Sequence, residues 1–379
     1  MTRRETLIAR SIVYAILTSR EDGRPARKPS LLQRLLRLFY IYWLSFRLIR
    51  PDLFKALRGV WQIKEDDYRA SFDIKKQKHK KKGAKSTLIP MGDMGYSGST
   101  FFCTNDSAYL VKSIPRHFEH SFFKNELLLP YADHMRANRA SLLVRITDVL
   151  ESTHKSLGVI LGITPSHHIV MENIMYGQDQ EPQGSSKPMW ESWDLKPTSY
   201  FYPERDIAGG ALASEATKSK LADEFNDKIR LSEDRATEFK RQLENDTMLL
   251  ANCNAVDYSL FLVRISAADA PEAEAQPALQ SEQTSAEPIP PAQPPFTPPN
   301  PPNWRTGVTS SDGEEVYRAA ILDFFWAKHT VHAKAMTGLV RGYNLIDNRG
   351  PMSITADSKD YRDRFLKMCM EYIEVEAQE

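Results

Sequence analysis

Apolar positions in this chain gather into short runs separated by polar turns, and they predict a mixture of strands and helices. Residues 99–103 and 108–114 flank Thr104-Asn105-Asp106-Ser107, a turn-rich tetrad, which predicts a β-hairpin. A helix is expected over residues 118–135. Strands are expected over residues 142–150, 157–163 and 168–171, the last running into Glu172-Asn173. Ser232 is placed to cap a helix reaching about Ala251, with Glu233 and Asp234 favouring its start and Phe239, Leu243 and Leu250 on its buried face. Residues 258–265 and the run from Ala319 to Trp326 read as strands. Residues 30–50 are rich in Leu, Phe, Tyr and Trp but broken by Arg34, Arg37 and Arg47. They predict an amphipathic helix that packs on the domain, meets a second copy in a homodimer, or lies in a membrane interface. Residues 208–227 read as a loose connection. The order of elements predicts an α+β fold, with an antiparallel sheet in the N-terminal portion.

Two segments cannot build a core. Residues 267–303 are rich in Pro, Ala, Gln and Glu and contain PPAQPPFTPPNPP, so they are expected to be a disordered insert, partly polyproline II. Residues 75–85 read KKQKHKKKGAK, with seven lysines, and are expected to form a solvated loop. The expected organisation is a basic amphipathic extension over 1–45, an N-terminal portion over 46–180, and a smaller C-terminal catalytic portion over 181–266 and 304–379 interrupted by the insert.

Charge sharpens this picture. The net charge of +1 hides an asymmetry: residues 1–90 hold 22 Lys and Arg against 8 Asp and Glu, a surplus of 14, and the remainder is correspondingly acidic. A basic front end points to an anionic partner, a membrane surface before a nucleic acid. At 41% hydrophobic residues over 379 positions, a sizeable core is available. Cys103, Cys253 and Cys369 are isolated, which argues against a disulfide framework and a zinc site and fits a reducing compartment. No secretory signal and no apolar run of roughly 20 residues is visible.

The chemistry concentrates in a few residues. Asp323 stands alone in an apolar run, where a carboxylate is costly unless something cationic holds it, and a bound metal ion is a common solution. Residues 92–99, GDMGYSGS, space three glycines three apart, and glycines let backbone N–H groups approach a phosphate closely. Lys112 follows on the strand after them, where kinase-like sites neutralise nucleotide phosphates. Asp194 and Lys196 share one face of an expected strand. Asp257 is placed where a helix gives way to a strand. Taken singly, each has a plainer reading. The glycines fit an ordinary turn, Lys112 an exposed strand residue, Asp194 and Lys196 a surface ion pair, and Asp257 a turn or cap.

Taken together and in order, these segments resemble the phosphatidylinositol phosphate kinase family, with the phosphatidylinositol 4-phosphate 5-kinases as nearest type. The glycine loop resembles residues 95–102, the nucleotide lysine Lys112, the glutamate-bearing helix residues 118–122, and the hinge residues 168–173. The DLKGS, MDYSLL and IID motifs resemble residues 194–196, 256–261 and 321–323. The resemblance spans roughly residues 46–375. It departs at Pro197, where the family has glycine, and at Val256, where it has methionine. The segment matching the activation loop, about residues 333–358, is only mildly basic.

The resemblance implies a lipid-kinase fold and ATP-dependent phosphorylation of a phosphatidylinositol phosphate, with phosphatidylinositol 4-phosphate to the 4,5-bisphosphate as the leading reaction. It implies ATP and Mg²⁺ as cofactors and a phosphoinositide lipid in an anionic membrane as partner. Asp257, Lys196 and Asp194 would be catalytic. Gly95, Ser97, Gly98, Ser99, Lys112, Met171, Glu172 and Asn173 would hold the nucleotide, and Asp323 would bind the metal. The expected location is cytoplasmic and peripheral on membranes, with a nuclear pool compatible with the lysine run. No nucleic-acid partner is expected, because no binding module accompanies that run. Two rival readings use the same residues: an inactive relative that binds phosphoinositides as a scaffold, and a soluble inositol phosphate kinase.

Overall fold

Two antiparallel sheets, joined by one apolar core, carry the fold. The computed structural model describes residues 2–19, 22–24, 44–73, 87–91, 99–154, 156–160, 164–178, 188–197, 225–267, 303–327 and 356–376. The first sheet contains β1 (Phe46–Leu48), β2 (Leu88–Pro90), β3 (Phe101–Thr104), β4 (Tyr109–Ser113), β5 (Ile146–Ser152) and β6 (His167–Glu172), in the order β1-β5-β6-β4-β3-β2. The second contains β7 (Met189–Leu195), β10 (Ser259–Ser266), β11 (Val308–Thr309) and β12 (Glu315–Leu322), in the order β11-β12-β10-β7. Two small pairs complete the strands: β9 (Ala255–Val256) with β13 (Trp326–Ala327), antiparallel, and β8 (Ile229–Ser232) with β14 (Ile373–Glu376), parallel. The result is α+β.

Helix α1 (Arg3–Thr18) begins on a capping box: the Glu5 N–H donates to the Thr2 hydroxyl at 3.2 Å, and the Thr2 N–H donates to the Glu5 carboxylate at 2.7 Å. Ile8, Ile12, Ala15 and Ile16 recur at helical spacing and are buried against Phe46, Leu88, Phe102, Val111 and Val170 of the first sheet. This stretch, read from the sequence as part of an extension, is therefore a layer of the fold. Gly23 lets the chain pass beneath β1. Its φ is +75°, its carbonyl accepts the Leu48 N–H at 3.0 Å, and a Cβ there would stand 2.3 Å from the Leu48 carbonyl oxygen. Gly23→Ala is expected to destabilise the protein by about 1–3 kcal/mol. Native-state hydrogen exchange should show the loss first in the amides of α1.

Helix α2 (Pro51–Val60) starts with proline at its first position, where the missing N–H costs nothing, and α3 (Glu65–Ser71) follows. After β4, helix α4 (His117–Phe122) passes through a π-helical turn, Phe123–Leu127, into α5 (Leu128–Ala137). The hairpin, this helix and β6 match the sequence expectation. The strand expected over 157–163 is not seen in its described residues, 157–160. Its described part is the short helix α6 (Leu157–Ile160), started by the Ser156 hydroxyl accepting the Val159 N–H at 3.3 Å, while β5 already has a partner on each side, β1 and β6.

Helix α7 (Glu233–Asn252) has Ser232 at its N-cap position and buries Phe239, Leu243 and Leu250 as its pattern requires. Helix α8 (Ser358–Glu371) packs against it, and Tyr361 donates to the Tyr258 carbonyl at 2.6 Å. No element was expected there, beyond the end of the activation-loop match at about residue 358. The main core runs without a break from Leu53 and Phe54 through Phe123 and Tyr131 to Phe324, Tyr361 and Phe365, so both sheets share it. Among the described residues, no helix is long and apolar enough to cross a membrane. Residues 25–43, 75–85, 268–302 and 328–355, which carry most of the expected interfacial helix, the lysine run, and most of the insert and activation loop, lie outside the described residues; the end of that expected helix, residues 46–48, forms β1 instead, paired with β5.

Candidate active site

Strand register brings the chemistry to one place. In the first sheet Lys112 pairs with Phe101 on one side and Ile169 on the other. The chain entering and leaving the glycine loop is tied beside that rung. The Met91 N–H donates to the Phe101 carbonyl, and the Thr100 N–H to the Ser113 hydroxyl at 2.8 Å. Lys112 is buried, 7% exposed, so the ordinary reading of an exposed strand lysine is excluded.

In the second sheet Ser259 pairs with Leu322 and Leu260 with Leu195. The end of β7, the start of β10 and the end of β12 therefore meet at one edge, which gathers Lys196, Asp257 and Asp323. The expectation of a continuous strand over 319–326 is corrected here. β12 stops at Leu322, Asp323 takes φ +61°, and the chain turns back to pair Trp326 with Val256. Asp257 occupies the matching corner between β9 and β10 with φ +66°. Aspartate tolerates this left-handed region better than most side chains. Two stacked corners thus hold two carboxylates at the lip of the sheet. Asp194 lies within β7 opposite Phe261, and Lys196 falls just past that strand's end.

The side chains converge. Lys112 Nζ donates to Asp323 Oδ1, and Lys196 Nζ lies 3.2 Å from Asp257 Oδ1. The cation that the apolar setting of Asp323 demanded is Lys112 in this structure. Burial pushes the Asp323 carboxyl up, but the hydrogen-bonded Lys112 ammonium and the charge of Lys196 outweigh it and hold the group below the usual carboxylate range. Both ammonium groups thus act on one carboxylate. Pro197 is buried, like Leu195, and its ring fixes φ at a position where a glycine would leave it free.

A family model described as "Phosphatidylinositol-4-phosphate 5-Kinase" matches residues 82–372, most of the chain and all of the residues just placed. The chain belongs to that family. It is 25% identical over 215 residues to a probable phosphatidylinositol phosphate kinase of Dictyostelium discoideum, covering 56% of this chain and 26% of that protein. It is 32% identical over 102 residues to a phosphatidylinositol 4-phosphate 5-kinase of Plasmodium falciparum, covering 27% and 6%. It is 25% identical over 219 residues to the human phosphatidylinositol 4-phosphate 5-kinase type-1 beta, covering 57% and 35%. The chain therefore spans about a third or less of the length of each of these relatives.

Within this member of the family, the remaining candidates divide. Gly95, Ser97 and Gly98 lie outside the described residues, while Ser99 is buried at the loop's end. Met171 sits in β6, packed in the main core. Glu172 and Asn173 use their side chains to build the hinge. The Glu172 carboxylate accepts the Arg145 N–H at 2.8 Å and the Arg305 guanidinium, and the Asn173 amide donates to the Ser107 carbonyl at 2.7 Å. Both side chains are thus engaged within the protein.

Glu119, on α4, is a site residue that the sequence reading quoted but did not assign. Burial pushes its carboxyl up, Arg116 at 3.2 Å and the charge of Lys112 oppose this, and Asp323 adds to it, so Glu119 stands within electrostatic reach of the Lys112–Asp323 pair. Phe118 and Arg116 clasp the Trp326 ring, at 4.4 and 5.7 Å, and tie that helix to the strand following Asp323. Arg305 gave no sequence signal at all. It follows the Pro-rich segment, and only the fold shows that its guanidinium binds Glu172 and the carbonyls of Ser141 and Leu143.

Proposed function

We propose that this chain transfers the γ-phosphate of ATP to a hydroxyl of a phosphatidylinositol phosphate, with the 5-hydroxyl of phosphatidylinositol 4-phosphate as acceptor. The observation that carries this reading is the meeting of Lys112, Lys196, Asp257 and Asp323 at two stacked corners. Phosphoryl transfer asks little covalent chemistry of a protein. It needs positive charge on the phosphates and an acceptor held in line. Lys112, beside the glycine loop, would contact the nucleotide phosphates, and Lys196 would stabilise the phosphoryl group in transit. Asp257 would orient the acceptor hydroxyl and take its proton. Asp194, on the same strand face as Lys196, would support it.

The donor set fits magnesium. That cation takes oxygen ligands and is commonly held by one or two carboxylates together with substrate phosphates and water, and Asp323 presents a carboxylate that is 38% exposed. Asp323 would hold the ion, which supplies charge neutralisation on the phosphates. Among the described residues no group of three or more His, Cys, Asp or Glu is arranged to bind a metal, so the remaining ligands would come from substrate and solvent. The basic surplus of residues 1–90 would draw the chain to an anionic leaflet as a peripheral protein of the cytoplasmic face.

The test is phosphate incorporation into vesicles carrying each phosphoinositide in turn, with the product head group resolved by chromatography. Wild type should label phosphatidylinositol 4-phosphate, and Asp257→Asn should fall by roughly 10²–10⁴-fold with unchanged nucleotide affinity. A well-folded wild type that labels no phosphoinositide overturns the proposal. Labelling of soluble inositol phosphates alone favours the soluble-kinase reading instead.

A further inference from the structure

Away from the two corners, a cavity of about 410 Å³ opens between the end of α5, the loop that follows it and the middle of α7. Three arginines line it: Arg136, Arg139 and Arg241. Arg136 leans on the exposed Asp133 at 3.0 Å, and Arg139 and Arg241 make no ion pair among the described residues. The acid on the cavity wall is engaged by donors of the protein itself and is outnumbered by the arginines. Asp246 is buried and accepts from His134 at 2.5 Å, from the Ser141 hydroxyl at 2.8 Å and from the Leu142 N–H at 2.5 Å. The field in the cavity is therefore positive. Gln242 also lines it. This side chain is 6% exposed, its amide nitrogen donates to Glu238 at 3.1 Å, and its Oε1 has no hydrogen-bond partner among the described residues. That oxygen is closed off from the cavity as well, so recognition there rests on the arginines.

We propose that this cavity is a second ligand site, taking a small molecule that carries more than one phosphate, with those phosphates meeting the arginines. Arginine suits planar, two-pronged recognition of phosphate oxygens, and a concave site with a few convergent polar groups is the usual form of a small-ligand pocket. A lipid head group and a free inositol phosphate share this chemistry. The site is distinct from the corners that carry the proposed phosphoryl transfer, and it stands or falls independently of that reading. It also has a physical route to them. The loop on its wall, residues 141–143, is held by Arg305 on one side and on the other pairs with Ile321, two residues before Asp323, through the Ile321 N–H to the Leu142 carbonyl at 2.7 Å.

Hydrogen–deuterium exchange of the full chain tests the site, with inositol trisphosphate, inorganic phosphate, or phosphatidylcholine vesicles carrying phosphatidylinositol 4-phosphate as probes. Inositol trisphosphate should protect residues 136–142 and 238–246. Arg139→Glu/Arg241→Glu should weaken its Kd by roughly tenfold for each arginine and remove that protection. Both arginines are exposed, so melting without ligand should stay unchanged; if the double variant does not fold, the wild-type protection map alone decides. Inorganic phosphate should protect the same residues only weakly, and protection as strong as that by inositol trisphosphate at equal concentration overturns the multiple-phosphate assignment. Protection by vesicles but not by the free compound assigns the site to a lipid head group, and the converse to a soluble one. Protection confined to residues 109–119, 189–197, 256–258 and 322–326, or none anywhere, overturns the proposal.

Discussion

Asp323→Asn is expected to lower phosphoryl transfer by roughly 10³-fold while leaving the protein folded. Asparagine is one of the few residues that tolerates φ +61°, so the corner keeps its path. What disappears is the negative charge that Lys112 meets and that would hold magnesium. Lys112 is 7% exposed and would be left with an uncompensated charge. Because Asp323 itself is 38% exposed, water relieves much of this, and the stability loss should stay near 1–2 kcal/mol. The two readouts must therefore separate: a large fall in turnover with a small shift in denaturation midpoint. Parallel falls in both would show that Asp323 acts through the fold. A double variant with Lys112→Met should be little worse than either single one, since both remove one unit. Acid should not mimic the substitution near neutrality. The Asp323 carboxyl is held below its ordinary value, so its contribution is fully present above the unfolded value of about 4 and is lost only as pH falls through the lower folded value.

Arg58→Met should produce the largest stability loss, about 3–5 kcal/mol in chemical denaturation. Arg58 lies inside the first sheet's helical cover. It donates to Glu65 at 2.7 Å and to the Thr147 carbonyl at 2.5 Å, and it stands 3.2 Å from Asp148, which is 2% exposed. Tyr68 donates to the same carboxylate at 2.7 Å and stacks beneath the guanidinium at 4.4 Å. Removing the cation strands a buried carboxylate. Burial already pushes Asp148 up against the opposing pull of Arg58 and Tyr68, and without Arg58 it rises further. A carboxyl whose folded value exceeds its unfolded one favours the folded state when protonated. The variant should therefore lose stability as pH rises from about 4 through that raised value, and regain part of it on acidification. Adding Asp148→Asn should recover a substantial share at neutral pH. If the single variant's deficit does not change with pH, the loss comes from packing rather than from the stranded charge.

The sequence showed which residues matter more readily than how they meet. The hairpin bearing Lys112 was legible because its turn tetrad and flanking apolar runs are local signals. Asp323 was legible as a carboxylate that needed a cation, since the cost of burying charge is independent of fold. That the cation is a lysine from the other sheet depends on a register 211 positions away along the chain, which no local pattern encodes. The corner itself was hidden: residues 319–326 are uniformly apolar around Asp323, so nothing in the pattern marks the residue where the strand reverses. The run at 157–160 was misread for the opposite reason, because a short apolar stretch fits either a strand or a helical turn and the choice fell to Ser156 and an already filled sheet edge.

The pairing of β10 with β12 also explains how this chain carries a long Pro-rich stretch in the middle of its chemistry. Ser266 faces Glu315 at one end of the ladder, and Ser259 faces Leu322 at the other. Eight residues of extended chain, about 26 Å, thus separate the point where residues 268–302 depart from the lip where Asp257 and Asp323 sit. Changes near the departure of that stretch are therefore expected to leave the reacting groups undisturbed, whereas its return is followed within three residues by Arg305, which holds Glu172. That makes the departing end the natural attachment point for a reporter or tether in a working enzyme.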